Sequence, residues 1–369
     1  MARVVVRLML VLAVVTTGSA LACSKVDSIT GCEPSAGVTP SCGFHNPEDL
    51  AWLPGNAWIA VSQYSVGGEP GSLVAHRLSD QRTVELFPLA PEESDLSSDA
   101  PSEGWGASDC PGPPERSVFS PHGIDIDLAA RETPALAVVN HGGRESIELF
   151  EIGFALGAPA LGWRGCIVLP DGVMANDVAF LPERGLVVTN MMPPPEGVAA
   201  LGSVVRMALG RNTGSILVWR SAEGWSEVAG SQGSAPNGVA VSRDGREIYF
   251  TEWSGRRLVW ISLSDEARRR QVDLAFMPDN ITWSRDGRLL VAGQVARLGE
   301  VLACGQLEDG TCALPFSVVV ADPVSLDTRV VIDHDATATG AASVALDVGG
   351  EIVIGTFAGD RIARADFPD

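Results

Sequence analysis

Paired polar side chains stand at the start of six apolar runs in this 369-residue chain. Carboxylate and amide oxygens in sets of about six to eight are the ligands that Ca²⁺ prefers, whereas Zn²⁺ prefers His and Cys and Mg²⁺ takes fewer protein ligands. Carboxylates crowded together also repel one another unless a cation lies between them. The pairs are Glu48 and Asp49, His122 and Gly123, Asn176 and Asp177, Asn237 and Gly238, Asp279 and Asn280, and Ala342 and Ser343.

A repeat with irregular spacings of roughly 40 to 75 residues positions these pairs. Residues 236–250 read PNGVAVSRDGREIYF and residues 278–292 read PDNITWSRDGRLLVA, so the pattern returns after 42 residues (278 − 236). Each copy has a polar pair, an apolar strand, an Asp-Gly turn and a second apolar strand. The pattern recurs more weakly from residues 47, 121, 175 and 342, which makes six units.

Six such units predict an all-β fold, a six-bladed β-propeller with four-stranded blades around a calcium-containing central channel. A pair of β-sandwiches is the competing fold, but it does not explain the repeated polar pair. Since the innermost strands of a propeller enter the channel from one end, residues at their starts converge near the axis. Each of them taken singly could instead be an ordinary turn residue. The ligands predicted for one calcium ion at the channel mouth are Glu48, Asn176, Asn237, Asp279 and Asn280.

The first 22 residues have the pattern of a secretory signal peptide. Arg3 and Arg7 precede an apolar run that is too short to span a bilayer, and a small-x-small cleavage site ends at Ala22. The sequence therefore predicts an exported protein, periplasmic or extracellular, with residues 23–369 forming a single propeller domain. Cys23 would be the first mature residue, which leaves open a lipid anchor there, although Ala20 stands where a lipoprotein signal usually has Leu. A long Pro-, Ser- and acid-rich loop is predicted at 89–116, and another loop at 191–202.

Composition excludes several classes of function. With 46 acidic against 26 basic residues and a net charge of −20, the chain has no basic face for nucleic acid. No mature segment reaches the roughly 18 apolar residues of a transmembrane helix. A GxSxG motif and a phosphate-cradling loop are both absent from the sequence.

Seven cysteines accompany the export signal, so disulfides are expected. Cys304 and Cys312 flank a short polar loop and are the most favoured local pair, while the other pairings stay open. Since no spacing is CxxC, a zinc site is not expected.

The motifs resemble those of the paraoxonases, calcium-dependent arylesterases and lactonases, from about residue 46 to residue 356. The similar stretches are PED at 47–49, FSPHGI at 119–124, VVNH at 138–141, ND at 176–177, NGVAVSRDG at 237–245, DN at 279–280 and IGT at 354–356. The wider group of six-bladed calcium lactonases, including gluconolactonase-like proteins, is the alternative family.

The resemblance implies two calcium ions and a histidine pair. The five channel-mouth residues resemble the ligands of a catalytic calcium. Asp49 and Asp177, with the backbone carbonyl of Ile124, resemble the ligands of a second, structural calcium deeper in the channel. His122 and His141 resemble the histidines proposed to activate water.

Some positions depart from the family pattern. Met191 and Met192 stand where paraoxonases carry Asp-His, so an acid that could orient His141 is expected to be missing. Gln294 and Val295 replace a Cys-His, and no Cys follows Cys312, so the family's bridge between the chain ends cannot form in the same way.

The function predicted from these residues is calcium-dependent hydrolysis of a small ester or lactone. Calcium would polarise the carbonyl, and His122 would act as the base that activates water. Glu48 or Asp279 is the alternative base, and His45, His76 and His334 are expected to be surface or structural residues. The alternative function is a non-catalytic propeller, stapled by calcium, that binds a protein or a glycan.

Overall fold

The computed structural model describes residues 26–65, 70–89, 100–128, 133–194, 197–263 and 268–367, with the backbone alone for residues 197–201. The predicted signal peptide, Cys23 and part of the predicted 89–116 loop lie outside these ranges. Six four-stranded antiparallel sheets surround a central channel, which confirms the predicted six-bladed propeller.

Each blade is a meander whose strands run in sequence from the channel outwards. Blades 1 to 3 are β3 (Pro47–Trp52), β4 (Trp58–Gln63), β5 (Ser72–Arg77) and β6 (Arg82–Phe87); β7 (Pro121–Asp127), β8 (Ala135–Asn140), β9 (Ser146–Ala155) and β10 (Ala158–Val168); and β11 (Met174–Leu181), β12 (Gly185–Met192), β13 (Ser215–Arg220) and β14 (Gly224–Glu227). Blades 4 and 5 are β15 (Pro236–Val241), β16 (Glu247–Glu252), β17 (Arg257–Ser262) and β18 (Arg269–Asp273); and β19 (Met277–Trp283), β20 (Leu289–Gln294), β22 (Phe316–Ala321) and β23 (Thr328–His334).

Blade 6 closes the ring with strands from both ends of the chain. It consists of β24 (Ala342–Asp347), β25 (Glu351–Thr356), β26 (Arg361–Asp366) and, outermost, β2 (Val38–Cys42). Val38 pairs with Ala365, and Cys42 pairs with Arg361. A small separate sheet joins β1 (Ser28–Ile29) to β21 (Thr311–Cys312).

Apolar side chains fill the space between adjacent blades. Blade strands are buried on both faces, so a strand such as Ala135–Asn140 is buried at every position. Leu73 of blade 1 packs in one cluster with Leu136 and Phe150 of blade 2, and comparable clusters lie at the other five contacts between blades. Since each fully buried Leu or Phe contributes roughly 1.5–3 kcal/mol, these contacts hold the innermost strands in place.

Two short helices cover the end of the propeller at which the innermost strands begin. They are α1 (Gly197–Ala208) and α2 (Leu298–Cys304). Met207 of α1 and Val301 of α2 join one apolar cluster with Met277. Helix α1 begins inside the predicted 191–202 loop, because the Ala- and Leu-containing sequence after the prolines favours a helix.

Three disulfides join Cys32 to Cys42, Cys110 to Cys166, and Cys304 to Cys312. The last of these is the predicted local pair, which is confirmed. The second bond fastens the loop between blades 1 and 2 to β10. Disulfides form in oxidising compartments, and the three bonds are therefore consistent with an exported protein. Among the described residues, no helix has the length and apolar character needed to cross a membrane.

Candidate metal centre and histidine pair

The six polar pairs lie inside the innermost strands, at a break in strand register, and not ahead of the strands as the sequence pattern predicted. Pairing of β3 with β4 skips between Pro47 and Asp49, and pairing of β15 with β16 skips between Pro236 and Val239. The other four innermost strands show the same irregularity. A β-bulge places two residues opposite one, so it re-aims the side chains beside it.

Hydrogen bonds join the predicted calcium ligands across the channel. Asn280 Nδ2 donates to Glu48 Oε1 at 2.8 Å, although 232 positions separate the two residues. The Asn237 side chain hydrogen-bonds to that of Asp279. The structure therefore brings ligands from blades 1, 4 and 5 together in a buried cluster.

Several oxygens of this cluster are buried without a hydrogen-bond partner. The amide NH₂ groups face protein neighbours, so the amide oxygens point elsewhere. Burying an unpaired polar atom costs about 1–3 kcal/mol, and a cation would remove that cost by binding these oxygens. The unpartnered atoms are Glu48 Oε2, Asn176 Oδ1, Asn237 Oδ1 and Asn280 Oδ1.

The electrostatics of the channel also favour a cation. Burial, followed by the charges of Asp49 and Asp279, raises the pKa of Glu48 well above its usual range. Burial raises the pKa of both Asp49 and Asp279 to about 7. Burial and the charge of Asp49 also raise the pKa of Asp177 well above its usual value. A bound divalent ion would reverse these shifts by stabilising the carboxylates.

The donor set fits Ca²⁺ better than a transition metal. The described residues contain no group of three or more His, Cys, Asp or Glu side chains that could hold a metal by themselves. The cluster instead combines the carboxylates of Glu48 and Asp279 with three amide oxygens, and such an all-oxygen set suits a hard cation. A tetrahedral Zn²⁺ site would need nitrogen or sulfur ligands.

The residues implied for a second ion lie one step deeper in the channel. Asp49 Oδ2 accepts a hydrogen bond from the Ile124 amide at 2.7 Å, and Asp177 Oδ2 accepts one from the Val239 amide at 2.7 Å. Each carboxylate thus links its own innermost strand to the next one. Asp49, Ile124 and Asp177, together with Asp125, line a channel cavity of about 270 Å³.

The two predicted histidines form a hydrogen-bonded pair beside this cluster of oxygens. His122 Nδ1 lies 2.9 Å from His141 Nε2. The other ring nitrogen, His122 Nε2, lies 3.4 Å from Asn176 Nδ2 and 3.6 Å from Glu48 Oε1. Tyr64 stacks on the His122 ring with a centroid distance of 4.5 Å, which fixes the ring plane. His122 therefore presents Nε2 to the cluster.

Burial favours the neutral form of both His122 and Glu48 when no cation is bound. Burial and the charge of His141 lower the pKa of His122 well below its usual value, while the pKa of Glu48 is raised. Burial thus disfavours an ion pair at the 3.6 Å contact between His122 Nε2 and Glu48 Oε1. A cation held by Glu48 would keep the carboxylate ionised and leave His122 as a neutral base.

An acid does orient His141, contrary to the expectation drawn from Met191 and Met192. Glu145 accepts a hydrogen bond from His141 Nδ1, with oxygen distances of 2.8 and 3.0 Å. The sequence pattern did not predict Glu145 because this residue lies in the turn between β8 and β9, outside the six-fold repeat. Its spacing of four residues from His141 was the available signal. Met191 Sδ contacts Asn176 Nδ2 at 3.8 Å.

Gln294 is a second residue that the repeat did not single out. Its Nε2 donates to Asp279 Oδ2 at 2.7 Å and to the Ala342 carbonyl at 2.7 Å. Trp253 Nε1 donates to its Oε1 at 2.9 Å, which fixes the orientation of the amide. Gln294 therefore holds Asp279 in place at a position where the family pattern has a Cys-His.

The remaining histidines lie away from the cluster. His45 is exposed, and His76 and His334 are buried against the rings of Phe44 and Phe316. His76 and His334 are structural residues, as expected.

The fold and the site together define the class: a six-bladed β-propeller whose channel mouth holds a buried oxygen cluster beside a histidine pair. No protein-family model matches the sequence, and no curated protein sequence matches it. The structure is similar to a gluconolactonase from Xanthomonas campestris, at 15% identity and a TM-score of 0.51, over 94% of this chain and 96% of that chain. It is also similar to a streptogramin B lyase, at 12% identity and a TM-score of 0.51, over 90% of this chain and 97% of that chain. At these identities the similarities show the shared propeller fold.

Proposed function

We propose that the protein is a calcium-dependent hydrolase of carboxylic esters or lactones, of the paraoxonase type. The observation that carries this proposal is the set of buried, unpartnered oxygens next to the Nε2 nitrogen of His122. Glu48, Asn176, Asn237, Asp279 and Asn280 would hold the catalytic ion.

The second proposed ion lies deeper in the channel. Asp49 and Asp177, with the Ile124 carbonyl, would hold it, and both carboxylates line the channel cavity. Since these acids also link neighbouring innermost strands, the proposed role of this ion is structural. The two sets of proposed ligands together imply two calcium ions per chain.

The chain's own residues supply the base. When bound, Ca²⁺ acts as a Lewis acid toward the substrate carbonyl oxygen. His122 accepts a proton at Nε2 from the attacking water, because this nitrogen faces the cluster and burial favours its neutral form. Tyr64 keeps the imidazole in plane by stacking, and the Asn176 amide lies within reach of the same nitrogen. Glu48 or Asp279 is the alternative base.

The proposed location of the protein is the periplasm or the outside of the cell, after export. The three disulfides support this location, and a lipid anchor at Cys23 stays a prediction.

The test combines metal content with turnover. We expect elemental analysis to find two calcium ions per chain. Hydrolysis of phenyl acetate and a panel of lactones should stop in chelator and return with added Ca²⁺. His122→Gln should keep its calcium and lose turnover by about a hundredfold or more, whereas the exposed control His45→Gln should match the wild type.

Two outcomes contradict the proposal. Bound calcium without calcium-dependent turnover of any substrate would favour the non-catalytic propeller. A protein that binds no calcium would overturn the metal site itself.

A further inference from the structure

Glu145 occupies a turn that is unusually well fixed for a surface carboxylate. The turn joins β8 to β9, and the buried side chain of Asn140 braces it by accepting from the Gly142 amide and donating to the Gly142 and Arg144 carbonyls. The Glu145 carbonyl accepts a hydrogen bond from the Leu169 amide at 3.0 Å. The backbone of Glu145 is therefore held on both sides.

The neighbouring arginine does not compete for this carboxylate. Arg144 Nη2 donates instead to Glu148 Oε1 at 2.7 Å and to the Gly112 carbonyl at 2.7 Å. The Glu145 side chain, about 29% exposed, faces His141, with both carboxylate oxygens within 3.0 Å of Nδ1.

The series of hydrogen bonds from Glu145 through His141 to His122 fixes the tautomer of both histidines. A carboxylate only accepts, so His141 carries its proton on Nδ1. His141 Nε2 is then an acceptor, and the 2.9 Å bond from His122 requires the His122 proton on Nδ1. His122 Nε2 is left with a lone pair, and this is the nitrogen that faces Glu48 and Asn176.

We propose that Glu145 is a positioning residue that sets the tautomers of His141 and His122. It thereby places the basic lone pair of His122 Nε2 at the cluster of proposed calcium ligands. The proposal rests on the proposed hydrolase function and deepens it. Paraoxonases carry an acid at the position of Met191 and Met192. In this chain Glu145, in the β8–β9 turn, supplies an acid instead.

The first test reads the tautomer directly and needs no substrate. Nitrogen-15 NMR of histidine-labelled protein, with His141 assigned by the loss of its signals in His141→Gln, should show the proton on Nδ1 in the wild type. In Glu145→Ala this preference should be lost, whereas Glu145→Gln, which keeps an acceptor oxygen, should retain it in part. Glu151→Ala is the matched control, since Glu151 is a similarly half-buried acid of β9 that pairs with Arg164. It should leave the signals unchanged.

The second test measures turnover with calcium at saturation. Glu145→Ala should lower kcat about tenfold or more with KM within about twofold, and Glu145→Gln should recover part of the loss. A wild-type His141 with its proton on Nε2, or a kcat for Glu145→Ala equal to that of Glu151→Ala, would overturn the positioning role. A wild type that hydrolyses nothing would overturn the hydrolase function, while the NMR result would still decide whether Glu145 sets the tautomer.

Discussion

At the scale of single residues, the predicted calcium ligands are notable for buried oxygens that lack a hydrogen-bond partner. Four buried oxygens of these residues have no partner, whereas the buried carboxylate of Glu148 accepts hydrogen bonds from Arg144, Ser146 and Trp163. Unpaired buried atoms in a native fold require a reason. Coordination of a cation provides that reason without any change in the fold.

The sequence allowed the prediction of the mouth ligands but not of the residues that hold them. Glu48, Asn237 and Asp279 occupy equivalent places in a repeat, so their convergence follows once the propeller is assumed. Gln294 and Glu145 come from a second strand and a turn, and their roles depend on hydrogen bonds that no repeat encodes.

Replacing Gln294 by Leu should destabilise the fold. The substitution keeps the approximate volume but leaves Trp253 Nε1 and the Ala342 carbonyl buried without their present partner. We expect a loss of about 2–4 kcal/mol in the free energy of unfolding, together with weaker calcium binding because Asp279 loses its support. Urea unfolding and calcium titration would measure both effects. The exposed control Gln306→Leu should change stability by less than about 0.5 kcal/mol.

At the scale of the secondary-structure elements, the sequence predicted the blades and missed the local irregularities. Alternating apolar runs and Asp-Gly turns predict meanders, whereas the register breaks at the polar pairs appear only when the strands are paired. Helix α1 was missed because three prolines obscured a short helical segment. Its packing against Met277 and α2, through Met207, depends on contacts far along the chain.

The glycines that accompany the polar pairs are explained by close backbone contacts. A Cβ at Gly238 would lie 2.6 Å from both the Asn280 Cα and the Asp279 carbonyl oxygen, and one at Gly123 would lie 2.4 Å from Asp177 Oδ1. The innermost strands can approach closely at the cluster only because these two positions lack a side chain.

Gly238→Ala should therefore push β15 away from β19. Because the atoms in the way belong to the backbone, they cannot move aside cheaply. We expect a loss of about 2 kcal/mol or more in the free energy of unfolding and a lower calcium affinity. Thermal unfolding and calorimetric titration test this. Gly202→Ala, at a helix position with no atom within 4 Å, should be neutral or stabilising, and similar behaviour of the two variants would contradict the close-packing explanation.

At the scale of the whole molecule, the channel acids couple stability to pH and calcium. The pKa values of Asp49 and Asp279 are raised to about 7 and that of Asp125 to about 6, so the calcium-free folded state binds more protons than the unfolded chain. The stability that these three acids contribute should be present near pH 4 and should be lost as the pH rises through about 7. A calcium ion bound at the proposed sites would replace the protons and should reverse this loss.

The expected result is a calcium-induced rise in Tm that is larger at about pH 8 than at about pH 5. Differential scanning calorimetry in chelator and in excess Ca²⁺ at both values measures it, with Mg²⁺ at equal concentration as the control. An equal rise at both pH values, or an equal effect of Mg²⁺, would contradict a calcium-specific acidic channel.

Ring closure through β2 bears on how the protein is synthesised. Because β2 pairs with β26, β2 has no strand partner until the sequence of all the other blades has been translated. Blades 1 to 5 can each form from consecutive sequence, but the ring closes only after β26 has left the ribosome. The hydrogen-bonding edge of β2 therefore stays unpaired until β26 has been synthesised. Any factor that shields this edge would influence the yield of folded protein.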